Sequence, residues 1–216
     1  MWEEVLKEMY KRMYEALGPQ GWWPGETPFE VCVGAILTQN TNWQNVERAI
    51  NNLKKRDLLS PQALYELPEG ILAELIRPAG YYRVKARRLK NFIRFLVEDF
   101  EGDLAKLFAL PLEEARQALL KVSGIGPETA DSILLYAGEK PTFVIDAYTW
   151  RILLRHGLAT EDMGYEDLRE MFMRHLPEDP ALYNEYHALL VAVGKNFCRP
   201  QNPRCEDCPL KDIEAL

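Results

Sequence analysis

No apolar run in this 216-residue chain approaches the roughly 20 residues needed to cross a bilayer. Its first residues, Met1-Trp2-Glu3-Glu4-Val5-Leu6, are acidic where a secretory signal would be basic. These two absences predict a cytoplasmic protein with no membrane partner. Strict alternation of apolar and polar residues is nearly missing, which argues against a sheet-built fold, and no internal repeat period appears. The chain also lacks net positive charge: 26 Lys and Arg against 33 Asp and Glu leave −7. That balance argues against phosphate binding on average, although one basic face on an acidic protein escapes the objection. Cysteine is scarce, with Cys198, Cys205 and Cys208 crowded near the C-terminal end and Cys32 alone. In a reducing compartment such a cluster reads as a metal site before a disulfide framework.

What is present is 47% hydrophobic and 27% charged residues, the balance of a globular chain rather than a disordered one. Helix start signals recur. Thr27-Pro28-Phe29-Glu30 combines an N-cap threonine, a proline in the first turn and a glutamate three residues on, and Thr41-Asn42-Trp43-Gln44 repeats the pattern. Further starts at Ser60-Pro61, Pro111, Pro127 and Asp179-Pro180 predict an all-α fold. The predicted helices run over about 2–17, 28–38, 43–55, 61–66, 69–76, 82–99, 111–121, 127–137, 146–156, 165–175 and 180–197. Arg83, Lys85, Arg87, Arg88 and Lys90 form a basic run on one of them, either a solvated helix face or a surface for phosphates.

The most informative stretch lies between two predicted helices, Ser123-Gly124-Ile125-Gly126-Pro127-Glu128-Thr129. Gly124 and Gly126 permit positive φ and close backbone approach, and the N–H groups that open the next helix are unpaired donors. Such a turn can hold a phosphate without reading sequence, or can be a plain helix–helix turn. Val144-Ile145-Asp146-Ala147 follows, with an acid at the start of another helix, where an ordinary N-cap aspartate would also stand.

Taken together, these segments resemble the helix-hairpin-helix DNA glycosylases, endonuclease III-like, and the resemblance covers the chain from about residue 20 onward. It implies that Asp146 faces the sugar of the target nucleotide. It also implies DNA contacts through the hairpin residues Gly124, Gly126 and Thr129. Ile36-Leu37-Thr38-Gln39-Asn40-Thr41 looks like the family segment whose glutamine fills the gap left by a flipped base, with Gln39 as candidate. Gly80-Tyr81-Tyr82-Arg83 looks like the family loop that wedges a side chain into the stack, with Tyr81 as candidate. Bifunctional members carry a nucleophilic lysine two residues after the Gly-x-Gly, and this chain has Glu128 there. A carboxylate forms no Schiff base, so a monofunctional enzyme with water as nucleophile and Asp146 as its support is expected.

Trp22-Trp23-Pro24 and Trp43 resemble the pocket lining of the endonuclease III-type 3-methyladenine glycosylases, in which glutamate also follows the hairpin. Electron-rich rings suit a flat cationic alkylated purine, although tryptophans packed between helices would give the same sequence. In that comparison Lys195 lies on the pocket side, where a helix-terminal lysine would also complement the dipole. The rival readings are a mismatch thymine or uracil glycosylase and a non-catalytic DNA-binding helix-hairpin-helix module.

Cys198-x6-Cys205-x2-Cys208 is similar to the first three ligands of the endonuclease III iron–sulfur loop, and Glu214 stands where the family has its fourth cysteine. The resemblance implies a [4Fe-4S] cluster with three cysteine ligands and an unassigned fourth. Zinc, or an empty site, is the alternative. Residues 24–135 are expected to form a six-helix module, and 1–23 with 136–216 a second domain that carries the cysteine loop, with a DNA-binding cleft between them. The expected partner is double-stranded DNA containing damaged bases, met by a monomeric, nucleoid-associated protein.

Overall fold

The computed structural model describes residues 2–23 and 25–213, and Pro24 and Glu214 lie outside the described residues. Among the described residues there are twelve α-helices and no strand, as the start signals predict. The chain forms two compact units, Pro24–Lys140 and Met1–Trp23 with Pro141–Leu216. No described helix is long and apolar enough to cross a membrane.

The unit Pro24–Lys140 is built on α2 (Pro28–Leu37), whose Phe29, Val31, Cys32, Val33, Ile36 and Leu37 are all buried. A helix apolar on every side must be covered on every side. It is packed by α3 (Trp43–Lys54), α6 (Tyr82–Phe100) and α9 (Pro127–Ser132). Thr27 Oγ1 accepts the Glu30 N–H at 3.1 Å and starts α2 as its sequence predicts. At α3 the cap is Asn42, not Thr41: Asn42 Oδ1 accepts the Asn45 N–H, while Thr41 Oγ1 accepts from the Asn45 side chain. Asparagine caps at least as well as threonine, and here it takes the position. α4 (Pro61–Glu66) and α5 (Glu69–Leu75) pack on α6.

α7 (Leu104–Phe108) has no counterpart in the sequence reading; five residues are too few to show a helical period, and only its Asp103 cap marks it. α8 (Leu112–Leu120) leads into the hairpin before α9, and a buried bidentate pair, Arg116 Nε and Nη2 to the Asp131 carboxylate at 2.9 and 3.1 Å, ties the two helices together. The helix expected over 127–137 widens into a π-helical turn at Ile133–Ala137. Gly138 ends it in a place where a Cβ would come within 2.7 Å of Phe108.

The other unit is built by α1 (Trp2–Leu17), α10 (Ala147–Arg155), α11 (Tyr165–His175) and α12 (Pro180–Asn196). Its core is aromatic: Phe143 and Phe172 stack at 3.9 Å, with the Tyr183 and Tyr186 rings edge-on to Phe143. The buried Tyr186 hydroxyl donates to Leu6 O at 2.9 Å and so satisfies its polar end. α10 crosses α12 at Gly194, where a Cβ would meet the Tyr148 ring at 2.5 Å. Glycine is required there by close approach rather than by its own dihedral angles.

Candidate active site

In the unit carrying α10 and α12, Asp146 is the N-cap of α10. Its Oδ1 accepts the Thr149 N–H at 2.7 Å, which leaves Oδ2 as the oxygen not used by the cap. His187, on α12 and 4% exposed, holds Nε2 at 3.5 Å from that Oδ2. Burial pushes the Asp146 carboxyl up. The opposed charge and hydrogen bond of His187, with the bonds from Thr149, outweigh it and hold the group below its ordinary value. The N-cap reading of Asp146 and its place beside a second ionisable group therefore hold together.

Trp22 meets the His187 ring edge-on at 6.3 Å and the Trp23 ring edge-on at 5.6 Å. The Lys195 ammonium lies 5.6 Å from the Trp22 ring centre and 6.0 Å from that of Tyr148. Trp22, His187, Asp146 and Lys195 thus form one contiguous group. His187 is the member the sequence reading missed. Its signal was available, since the chain has three histidines and this one interrupts an apolar stretch, Tyr186-His187-Ala188-Leu189-Leu190. Trp43, grouped with these tryptophans in the sequence, opens α3 in the other unit.

In the unit Pro24–Lys140 the hairpin is partly as expected. Gly124 has φ +98°, and a Cβ on it would come within 2.3 Å of the Arg88 side chain. Gly126 corrects the expectation of positive φ: it is extended at −96°, 179°, has open space around it and serves as the N-cap of α9. Glu128 is exposed one residue into α9, and Thr129 is buried. Gln39 is held to this hairpin, its amide donating to Thr129 Oγ1 at 2.8 Å and Gly124 O at 3.3 Å while its carbonyl accepts from Arg88. Tyr81 stands 73% exposed in the left-handed region at φ 45°, ψ 32°.

The basic run is not one solvated stripe. Lys85 is buried, Lys90 donates to the carbonyls of Leu64, Tyr65 and Leu67 at the end of α4, and Arg88 serves Gln39. Only Arg83 and Arg87 lie exposed, because the helical period turns the other three inward.

Cys198 is buried just past α12, Cys205 is exposed and Cys208 half-buried. Burial pushes the Cys208 thiol up, and the neighbouring sulfurs of Cys198 and Cys205 push it further, so the three share one locality. Arg151 and Arg155 of α10 hold the carbonyls of Cys198, Arg199 and Pro200, and Arg155 lies 3.4 Å from Cys198 Sγ. Among the described residues no three His, Cys, Asp or Glu are arranged to hold a metal ion. A single zinc ion gathers its ligands about one point, whereas an iron–sulfur cluster binds each thiolate to a different iron. Three soft sulfurs that neighbour one another in one loop have the donor chemistry of an iron–sulfur site. Cys32 lies buried in α2, its thiol pushed far up by burial, and belongs to the other unit.

Comparison with known proteins identifies the family of the chain. Residues 33–178 match the HhH-GPD superfamily base excision DNA repair protein family, and residues 198–213 match the iron–sulfur binding domain of endonuclease III. A Methanocaldococcus jannaschii protein named as a DNA repair glycosylase is 48% identical, over 97% of this chain and 96% of its own. Endonuclease III of Thermotoga maritima is 33% identical, over 98% and 91%. Among solved structures, the Helicobacter pylori 3-methyladenine DNA glycosylase bound to 1,N6-ethenoadenine superposes with a TM-score of 0.75 at 29% identity, over 90% of this chain and 97% of that one.

Proposed function

Because the chain belongs to the HhH-GPD superfamily of base excision DNA repair proteins, and within it to the endonuclease III family, we propose that it is a monofunctional glycosylase that releases alkylated purines, such as 3-methyladenine, from duplex DNA. The observation that carries this reading is the contiguous group of Trp22, His187 and Asp146, in which a mostly buried carboxylate is linked through one histidine to a tryptophan ring. The base is flipped out and stacks on tryptophan. Asp146 then stabilises positive charge developing on the sugar and orients the attacking water. An alkylated purine needs no more, since its positive charge already weakens the glycosidic bond. Glu128, Trp23, Pro24 and Trp43 complete the proposed substrate contacts, and Gln39, Tyr81, Gly124, Gly126 and Thr129 the contacts with the duplex. The enzyme acts as a monomer.

Cys198, Cys205 and Cys208 would hold an iron–sulfur cluster, with Glu214 in line for the fourth position. Its contribution is structural, shaping the loop that follows α12. One observation favours a second reading. The Lys195 ammonium over Trp22 is a cation where a cationic base would stack, and a neutral base, such as a mismatched thymine or uracil, meets no such repulsion. A base-release screen over duplexes carrying single alkylated, deaminated or mismatched bases tests both. Release of methylated purines supports the first reading, and release confined to thymine or uracil mismatches replaces it with the second.

A further inference from the structure

Lys85 is a buried cation that nothing above employs. It lies one turn into α6 and is 2% exposed. Its ammonium donates to Leu37 O at 2.8 Å and to Ala79 O at 2.7 Å. Among the described residues no carboxylate pairs with it. Burial, aided by the charge of Arg88, lowers it to about 8. An ammonium removed from water without a counter-ion is costly, and an apolar side chain would fill the space without that cost. The two bonds therefore need a reason beyond packing.

The acceptors supply it. Leu37 ends α2 and Ala79 ends the 3-10 turn Arg77–Ala79, so both carbonyls are the negative ends of helical turns, where a cation is favoured. Each lies two residues before a residue read as entering the duplex, Gln39 in one case and Tyr81 in the other. Tyr81 has left-handed backbone angles, which a side-chain-bearing residue keeps only when its surroundings fix them. Arg88, one turn beyond Lys85 on α6, takes the Gln39 carbonyl and lies across Gly124.

We propose that Lys85 is a positioning residue: one ammonium fixes the two backbone ends from which Gln39 and Tyr81 project, so the gap-filling and wedging side chains stand at a set spacing before DNA is met. The inference rests on the roles given to Gln39 and Tyr81 under the proposed function. Opening a duplex forfeits the stacking and pairing of the extruded base, and side chains already at the right spacing add no ordering cost to it.

The test is a duplex with 2-aminopurine opposite a tetrahydrofuran abasic site, which reports insertion of protein side chains without requiring base release. Wild-type protein brightens the 2-aminopurine and prefers this duplex to an undamaged one. Lys85→Met lowers that preference about tenfold, the worth of one charged hydrogen bond, and dims the signal, with affinity for undamaged duplex retained. In a Gln39→Ala/Tyr81→Ala background the same substitution costs nothing further. Lys85→Gln, which keeps N–H donors but is shorter and uncharged, falls between; if the methionine variant does not fold, a glutamine variant with wild-type preference overturns the proposal. A Lys85→Met loss as large in the double-variant background, or no loss at all, also overturns it. A double variant that itself keeps the full preference overturns the roles of Gln39 and Tyr81, and this proposal with them.

Discussion

His187 Nε2 stands 3.5 Å from Asp146 Oδ2, on the carboxylate oxygen that the helix cap does not use. Burial acts on the Asp146 carboxyl in one direction, and His187 with Thr149 acts in the other and prevails. A carboxyl held below its ordinary value contributes stability that is present above the unfolded value near 3.8 and lost as pH falls through the lower folded value. The carboxylate form, on which the proposed chemistry depends, persists over the same range. His187→Leu leaves burial opposed only by Thr149, so the acid limb of single-turnover base release should move to higher pH, with the rate at about pH 8 least affected. An acid limb that stays in place would remove His187 from the site.

Asp146→Asn tests the carboxylate itself. Asparagine caps helices as well as aspartate, so α10 and the bond to the Thr149 N–H should persist, and the stability lost should be limited to what the charge of the carboxylate contributes. What disappears is the negative charge. Base release should fall by about a thousandfold while affinity for undamaged duplex holds. Retention of most activity would take Asp146 out of the mechanism.

Most of the helices were legible because their start signals are local: Thr27, Ser60 and Asp179 cap where their sequences say they should. α7 was not, because five residues carry no period, and neither was the π-helical turn, which no local pattern announces and which ends at Gly138 where Phe108 packs close. Asp146 was legible as an acid at a helix start, whereas His187 lies 41 positions further on and joins it only through the crossing of α10 and α12 at Gly194. The basic run misled because charge in a sequence carries no direction. Lys85 and Lys90 point their ammonium groups at carbonyls of preceding helices, which no local pattern announces.

Glu128 at the position of the lyase nucleophile bears on strand cleavage. Product DNA should stay uncut until alkali is added, and borohydride should trap no covalent complex. A trapped adduct would identify a lysine acting elsewhere, with Lys195 the first to replace.

The cysteine loop predicts a colour. Protein purified without oxygen should be brown with absorbance near about 400 nm, and Cys205→Ser should lose the colour together with DNA affinity. Cys205 is the exposed member of the three, so its loss removes a ligand without opening a cavity in a packed core. A colourless anaerobic preparation with stoichiometric zinc would instead establish the single-ion site.

The last prediction concerns selection between cationic and neutral bases, which Trp22 and Lys195 influence in opposite senses. Stacking area is similar for both kinds of base, so dispersion cannot separate them. The ring quadrupole can, being worth about 1–2 kcal/mol to a desolvated cation. Trp22→Leu keeps the position apolar but removes the quadrupole, so release of 3-methyladenine should fall about tenfold and release of neutral hypoxanthine less. Lys195, whose ammonium lies 5.6 Å from the Trp22 ring centre, competes for the same face. Lys195→Met should therefore raise 3-methyladenine release relative to hypoxanthine by severalfold, about 1 kcal/mol of removed like-charge repulsion in a partly screened site. Equal losses on both substrates in Trp22→Leu, with an unchanged ratio in Lys195→Met, would mean that these side chains act by packing alone. If thymine or uracil mismatches are processed well in the same assay and neither effect appears, the mismatch reading takes the place of the alkylpurine one.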